Sequence, residues 1–126
     1  MPNTKNMSLS AMPQDIIHHQ KTRSLEIKFS TDEVYTLSCE YLRVFSPSAE
    51  VKGHGPGDEV LQVGKKTVNI GQIEPVGNYA VRLIFTDGHD TGIFSWDYLR
   101  SLGREFEQNW ADYLQRLAAA GASRDN

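Results

Sequence analysis

"NYAVRLIFTDGHDTGIFSWDYL", residues 78–99, decides the fold because its pattern is that of a strand, a turn, a second strand and a helix start. In the first part of this stretch, residues 79–86, successive side chains fall alternately on two faces, which predicts a strand. Apolar Ala80 and Ile84 on its second face predict a central strand that is partly covered on both sides. The first face carries Tyr79, Val81, Leu83 and Phe85.

Beyond this strand, Gly88 in "DGHD" suits a positive φ angle, so a hairpin turn is predicted there, and "TGIFS" returns as the next strand. Ser95 is a candidate N-cap for the helix "WDYLRSL", which Gly103 is predicted to end. A second amphipathic helix is predicted in "REFEQNWADYLQRLAAAG", with Gly121 as its stop. Its apolar residues recur at helical spacing: Phe106, Trp110, Tyr113, Leu114 and Leu117.

Before the central strand, "SLEIKFS" and "VYTLS" predict two strands joined by the turn "STDE". "CEYLRVF" predicts a short helix with Ser38 as its N-cap. Residues 46–66 predict a long irregular loop, and "TVNIGQIEPV" predicts another short strand. This order predicts an α+β fold, with a small, mostly antiparallel β-sheet, a short helix after the second strand and two C-terminal helices.

The length of 126 residues predicts one domain with one core. Residues 1–21 are polar and lack a sustained period, so we expect a flexible N-terminal arm, in which His18 and His19 are solvated. The folded domain is expected to span residues 22–120, followed by a flexible tail over 121–126. An apolar run long enough to span a bilayer and a secretory signal are both absent from the sequence.

The charge and cysteine content narrow the classes of protein that fit this chain. The net charge is −3 with acids and bases interspersed, so neither a nucleic-acid nor a membrane partner is expected. Cys39, the single cysteine, excludes an intramolecular disulfide and a multi-cysteine metal cluster within one chain. It also fits a reducing compartment, and we expect a cytoplasmic protein.

Motifs of hydrolases and nucleotide-binding proteins are weak in this sequence. Cys39 falls at a predicted helix N-terminus, a position that favours the thiolate, but a buried structural cysteine is the preferred interpretation. A hydrolase that uses Cys39 is the weakest of the hypotheses. "GHGPGDE", residues 53–59, has glycines but lacks the G-K-[ST] of a phosphate-binding loop, and there is no G-x-S-x-G motif.

His89 raises the question of a metal site. Asp87 and Asp90 flank it, and His54 and Glu50 in the glycine-rich loop could join it if the fold brought them together. A mononuclear iron site usually shows H-x-D/E with a distant second histidine, whereas "GHD" places the acid directly after the histidine. A hydrogen-bonded histidine at a hairpin tip is therefore the preferred interpretation.

Two long stretches, "YLRVFSPSAEVKGHG" and "VNIGQIEPVGNYAVRLIFTDGHDTGIFSWDYL", closely resemble the DUF971 family of small bacterial proteins. That family is related to the N-terminal domain of gamma-butyrobetaine hydroxylase and trimethyllysine hydroxylase. The resemblance covers nearly all of the predicted domain. It implies an accessory domain, because the hydroxylases bind iron and 2-oxoglutarate in a separate catalytic domain. This chain ends soon after "WDYL", so we expect no dioxygenase activity and no enzyme.

The resemblance also implies a structural zinc site in the related hydroxylases, held by three cysteines and one histidine. On this chain, the cysteine positions correspond to Ser46, Ser48 and Val51, and the histidine corresponds to His89. Serine hydroxyls are poor zinc ligands and valine is not a ligand, so we expect no bound metal and no cofactor. Instead, we predict a metal-free structural clasp in which Ser46, Ser48 and His89 hydrogen-bond to one another.

The leading hypothesis is a small, non-catalytic binding or accessory module that serves an unknown protein partner. Other relatives carry this module next to an iron–sulfur carrier ATPase, so a link to iron or iron–sulfur proteins is part of the hypothesis. A surface patch beside His89 is predicted to contact the partner: Glu50, His54, Asp87 and Trp96. The alternative hypothesis is a protein that binds iron or zinc through His89, His54 and nearby carboxylates, with the site shared across a homo-oligomer.

Overall fold

The structure is a computed structural model that describes residues 12–125. Its strands are β1 (Pro13–His19), β2 (Ser24–Phe29), β3 (Val34–Ser38), β4 (Ile70–Val76), β5 (Ala80–Phe85) and β6 (Gly92–Ser95). Its helices are α1 (Cys39–Val44), α2 (Ala49–Lys52), α3 (Trp96–Arg104) and α4 (Phe106–Ala120). Within residues 12–125, the helices lack the length and apolar character that a membrane crossing requires.

The six strands form two three-stranded antiparallel sheets, in the orders β1-β2-β3 and β4-β5-β6. The predicted α+β class is confirmed, as are the short helix between the two groups of strands and the two C-terminal helices. The strands form two sheets where the sequence predicted one, and the long segment after α1 connects the two groups of strands. β5 is the central strand of its sheet, as the sequence pattern predicted.

The prediction of a flexible arm was wrong for residues 13–19, which form β1. β1 runs antiparallel to β2, with Ile16 opposite Ile27 and Ile17 opposite Glu26, and Ile16 packs against the core. The pairing satisfies the backbone groups along one side of β2, which would otherwise be an open sheet edge. Residues 1–11 of the predicted arm lie outside the described residues.

The core is formed by the inward faces of both sheets together with α1 and α3. Leu25, Ile27 and Phe29 of β2 are completely buried, as is Leu83 of β5. Tyr79, which the alternation assigned to the buried face of β5, is 57% exposed. It precedes the strand and lies in the turn that joins β4 to β5, so the alternation extends one residue beyond the strand itself.

Asn69 connects the two sheets. Its Oδ1 lies 2.9 Å from His18 Nε2 in β1 and accepts a hydrogen bond from Cys39 Sγ at 3.5 Å, and its Nδ2 donates to the Gln20 carbonyl. The prediction that His18 is solvated was therefore wrong. The histidine ring is half-buried because it reaches across from one sheet to the other.

The C-terminal residues are also bound to the domain. Arg124 donates to both carboxylate oxygens of Glu40, at 2.7 and 2.8 Å, and its guanidinium lies over the Trp110 ring. The Gly64 N–H donates to the Ser123 carbonyl. The prediction of a flexible tail from residue 121 was therefore wrong for residues 123 and 124. A bidentate ion pair joins Arg124 to the buried Glu40 carboxylate. Residue 126 lies outside the described residues.

Gly103 does not end α3, which continues to Arg104 with Glu105 as its C-cap. A Cβ atom at position 103 would lie 2.4 Å from the Tyr35 ring. The glycine is therefore required by close packing between α3 and β3, and the sequence-based interpretation of a helix stop was wrong. Glycine at this position costs helix propensity, and the packed Tyr35 ring compensates for that cost.

We predict that Gly103→Ala lowers the free energy of unfolding by about 1–3 kcal/mol, because an overpacked contact outweighs the better helix propensity of alanine. Chemical denaturation of the variant and the wild type would measure the difference. Gly55→Ala is the matched control, because a Cβ there meets no atom within 4 Å. Stabilisation of the protein by Gly103→Ala would contradict the packing account.

Candidate functional site

The polar residues with functional potential meet where the segment after α1 crosses the turn between β5 and β6. Ser46 Oγ, just beyond α1, lies 2.9 Å from His89 Nε2 in that turn. Both residues are buried, with 0% of Ser46 and 6% of His89 exposed. The two positions are 43 residues apart in the sequence, so this contact joins distant parts of the chain.

Glu50 on α2 determines which ring nitrogen of His89 carries the proton. His89 Nδ1 lies 3.0 Å from Glu50 Oε1, and a carboxylate accepts hydrogen bonds without donating any. We therefore assign the ring proton to Nδ1, which donates to Glu50 and leaves Nε2 to accept from the Ser46 hydroxyl. Ser46 Oγ in turn accepts from the Ser48 N–H at 3.3 Å.

A second link runs parallel to the first. Ser48 Oγ lies 2.7 Å from Thr91 Oγ1, which donates to Glu50 Oε1 at 3.2 Å. Ser48 Oγ also accepts from the Glu50 N–H and so caps α2. The loop–turn network is the name used below for these five residues: Ser46, Ser48, Glu50, His89 and Thr91. Their hydrogen bonds attach the start of the long loop to the β5–β6 hairpin.

Gly92, the first residue of β6, makes the close approach of Ser46 possible. A Cβ atom at position 92 would lie 2.4 Å from Ser46 Oγ and 3.0 Å from the Phe94 ring. Any side chain here would displace the serine from His89. The turn itself needs Gly88, whose φ angle is +93°. The glycines of "DGHDTG" therefore serve the geometry of the network and carry no chemistry of their own.

Asp87 anchors the other side of the turn. Its carboxylate accepts from Arg43 Nε at 2.8 Å, from Lys65 Nζ at 2.7 Å and from the His89 N–H at 3.2 Å. Burial raises the pKa of Asp87, but these three hydrogen bonds outweigh burial and lower the pKa to about 2. The Arg43 side chain is 9% exposed, so the ion pair with Asp87 compensates a nearly buried charge.

His89 is held in its neutral form. Burial lowers its pKa from the ordinary value of 6.5, and the positive charge of Arg43 lowers it further. The carboxylates of Glu50 and Asp87 raise the pKa, but their effect is smaller. A neutral imidazole at pH 7 fits the hydrogen-bond assignment, in which one ring nitrogen donates and the other accepts.

The structure brings together some of the predicted patch residues and separates others. Glu50 and Asp87 lie beside His89, whereas His54 is exposed and makes no hydrogen bond or ion pair within residues 12–125. Trp96 is bonded to the turn at the other end of β5, where its Nε1 donates to the Asn78 carbonyl. β5 lies between this turn and the turn that carries His89, and its length is roughly 20 Å at about 3.3 Å per residue.

The four positions that correspond to the zinc ligands of the related hydroxylases do not fit a zinc ion. Val51 is a buried apolar residue, the hydroxyls of Ser46 and Ser48 are engaged in hydrogen bonds, and both ring nitrogens of His89 have partners. Across residues 12–125, no three or more His, Cys, Asp or Glu side chains are grouped so that they could hold a metal ion.

Ser46, His89 and Glu50 have the order of contacts found in a hydrolase triad: hydroxyl to Nε2, and Nδ1 to a carboxylate. A triad needs a nucleophile that a substrate can approach, and Ser46 is completely buried. Cys39 is likewise buried, and burial raises the pKa of its thiol to about 11, so the reactive thiolate is disfavoured. These observations weigh against the hypothesis of a hydrolase that uses Cys39.

The contacts that Thr91, Arg43 and Lys65 make in the site were not predicted from the sequence. Thr91 carried a usable signal, because it lies two residues after His89 and a returning strand often places such residues on one side. Arg43 carried none, since a charged residue on a short helix is expected to be solvated. Its burial follows from the ion pair with Asp87, which joins residues 44 positions apart.

Comparisons with known proteins agree on one family. The family model described as gamma-butyrobetaine hydroxylase-like, N-terminal, matches residues 16–100. Two NMR solution structures are 49% identical to this chain with TM-scores of 0.80; they cover 92% and 98% of this chain and 91% and 90% of their own. A crystal structure of a DUF971 protein of unknown function from Acidithiobacillus ferrooxidans is 37% identical, covers 73% of this chain and 92% of its own, and has a TM-score of 0.62. None of the curated proteins matches the chain.

We predict that the protein loses stability as the pH falls below the ordinary His89 pKa of 6.5. Its pKa is lower in the folded state than in the unfolded state, so the unfolded chain binds the extra proton first. The stabilisation is therefore complete above pH 6.5 and is lost progressively at lower pH. Denaturation curves between about pH 7.5 and pH 5 would measure this slope.

His89→Gln should remove that part of the slope, since glutamine does not titrate. His54→Gln is the control, because His54 is exposed and lies outside the loop–turn network. Retention of the full slope in His89→Gln, or its loss in His54→Gln, would contradict the assignment of the pH dependence to His89.

Proposed function

The chain belongs to the gamma-butyrobetaine hydroxylase-like N-terminal (DUF971) family, and from this premise we propose that it acts as a non-catalytic accessory module that binds a protein partner. The family match covers residues 16–100 and concerns the N-terminal domain of the related hydroxylases. In this role the chain binds the partner, and the loop–turn network supports the binding surface.

One observation carries the non-catalytic part of the proposal: Ser46, the candidate nucleophile of the triad-like arrangement, is completely buried. A hydroxyl that attacks a substrate must be open to the site where the substrate binds. The Ser46 hydroxyl is bonded to His89 and to the Ser48 N–H, and Gly92 lies so close that a Cβ there would meet the hydroxyl oxygen. The same hydrogen bonds are therefore better suited to holding the loop than to catalysis.

The binding part of the proposal rests on how the network presents its surface residues. The Glu50 side chain is 65% exposed, yet His89, Thr91 and the start of α2 hold it in place. A side chain that is exposed and fixed loses little conformational entropy when a partner binds to it. His54 is exposed just beyond α2, four residues after Glu50 in the sequence. We propose Glu50 and His54 as contacts for the partner.

The kind of partner is proposed from the family resemblance alone. Relatives of this module occur beside an iron–sulfur carrier ATPase, and we therefore propose that the partner belongs to iron or iron–sulfur metabolism in the cytoplasm. The chain itself need not hold iron for this role. The four positions Ser46, Ser48, Val51 and His89 do not fit a metal ion.

We predict that the wild-type protein captures a specific partner from native lysate and that Glu50→Ala combined with His54→Ala reduces the captured amount several-fold. Quantitative mass spectrometry of the captured proteins would measure the change. Lys21→Ala is the control, because Lys21 is exposed in the turn between β1 and β2, away from this surface. Unchanged capture by the double variant would contradict the proposed contacts.

Elemental analysis of the same preparation, purified without a histidine tag, tests the alternative hypothesis. The account predicts no stoichiometric metal. One equivalent of iron or zinc that disappears in His89→Ala would contradict the metal-free clasp, and it would favour a site shared between copies of the chain through His89 and His54.

A further inference from the structure

The first strand, β1, leaves one side of its backbone open. It lies at the edge of the sheet β1-β2-β3, and within residues 12–125 no other strand pairs with its outer side. An open strand edge is a row of backbone donors and acceptors that a strand from another molecule can complete. β1 is therefore a candidate interaction surface.

The other three edge strands have features that disfavour pairing with another strand. β4 contains Pro75, which has no N–H to donate, and β6 has only four residues. β3 packs against α3 where its Tyr35 ring meets Gly103. β1 has seven residues, and its one proline, Pro13, stands at the first position. Residues 15–19 of β1 include neither a proline nor a lysine, the residues that most often protect an edge.

The hydrogen bonds at the end of β2 show which of its backbone groups point toward β1. The Ser30 N–H donates to the Met12 carbonyl on the β1 side, whereas the Phe29 N–H donates to the Glu33 carbonyl on the β3 side. Successive residues of a strand direct their backbone groups to opposite sides. The even-numbered residues of β2 therefore bond to β1, and the odd-numbered residues bond to β3.

The register of β1 against β2 then identifies the backbone groups that are free. Ile17 lies opposite Glu26, an even-numbered residue of β2, so these two residues exchange backbone hydrogen bonds. Ile16 and His18 consequently direct their N–H and C=O groups to the open side. The Ile17 side chain is 45% exposed on the outer face of the sheet, while Ile16 packs against the core.

We propose that β1 pairs antiparallel with β1 of a second copy of this chain, which joins two three-stranded sheets into one sheet of six strands. In this arrangement Ile17 of one copy lies opposite Ile17 of the other, on the two-fold axis. Ile16 of each copy then lies opposite His18 of the other, and their free backbone groups exchange hydrogen bonds on both sides of the axis.

The side chains of β1 select this register. It places Asp15 of each copy opposite His19 of the other, on the same outer face as the Ile17 pair. A shift by two residues in either direction would put Ile17 opposite Asp15 or opposite His19, an apolar side chain against a polar one. A shift by one residue would direct free backbone groups at groups already bonded to β2. β1 is thus self-complementary, which favours a second copy over a strand of unrelated sequence.

Sedimentation equilibrium of the full-length protein, from about 20 μM to about 1 mM, tests the assignment. The wild type should pass from monomer to dimer in this range, because a short strand pair is small compared with the about 20–30 residues a side of a standard interface. Ile17→Lys should weaken the dimer by about tenfold or more, since it replaces an apolar pair on the axis with two like charges.

Val34→Lys is the matched control, because Val34 is 50% exposed on β3, the other edge strand of the same sheet. It makes the same change of an exposed aliphatic residue to lysine away from β1. A wild type that stays monomeric at every concentration, or equal weakening by Ile17→Lys and Val34→Lys, would overturn the assignment.

Cross-linking through an introduced cysteine tests the register. Ile17→Cys should give a covalent dimer on mild oxidation, because directly opposite Cβ atoms lie about 4.5–5.5 Å apart. Asp15→Cys should not, because this register separates the two copies of position 15 by about 13 Å along the strands. Wild type under the same oxidation is the control, since its Cys39 is buried. A covalent dimer of Asp15→Cys without one of Ile17→Cys would contradict the proposed pairing.

A strand of another protein is the competing occupant of β1. Capture of a protein from lysate that is lost in Ile17→Lys, by a chain that stays monomeric at about 1 mM, would assign the edge to that protein and overturn the self-pairing. The self-pairing is independent of the proposed function. Dimerisation should persist when Glu50→Ala and His54→Ala are combined, and its loss in that variant would overturn the placement of the interface at β1.

Discussion

The hydrogen bond between the Ser46 hydroxyl and His89 Nε2 is the contact on which the rest of the site depends. It closes a span of 43 residues and attaches the segment after α1 to the β5–β6 turn. Because both groups are buried, loss of either partner would leave an unsatisfied polar atom inside the protein, at a cost of about 1–3 kcal/mol. The position of α2 and that of the exposed Glu50 carboxylate depend on this attachment.

Local patterns predicted most of the fold, whereas contacts between distant residues decided the rest. Alternation identified β5, and serine N-caps at Ser38 and Ser95 marked the starts of α1 and α3 correctly. β1 was missed because "PQDIIHH" does not alternate and is placed by pairing with β2. Gly103 was misinterpreted because its reason is the Tyr35 ring, which local sequence does not reveal. In the site, the contact between Glu50 and His89 and the distant position of Trp96 likewise depend on the complete fold.

The site shows how one arrangement of residues can serve packing instead of chemistry. Serine, histidine and glutamate stand in the order of a hydrolase triad, and their positions correspond in part to a zinc site in related hydroxylases. Burial of Ser46 weighs against a hydrolase triad, and the donor set does not fit a zinc site. What remains is a network that holds α2 in place and keeps the Glu50 carboxylate exposed on its surface. On this geometry we base the proposal of a binding module.

The protonation state and tautomer of His89 test the central claim most directly. Two-dimensional NMR of the 15N-labelled imidazole distinguishes the two neutral tautomers from the charged ring and from a metal-bound one. The account predicts a neutral ring at pH 7 that is protonated at Nδ1, with Nε2 accepting from Ser46, and Ser46→Ala should shift the Nε2 resonance. A charged ring, a proton on Nε2 or a metal-bound nitrogen would contradict the clasp.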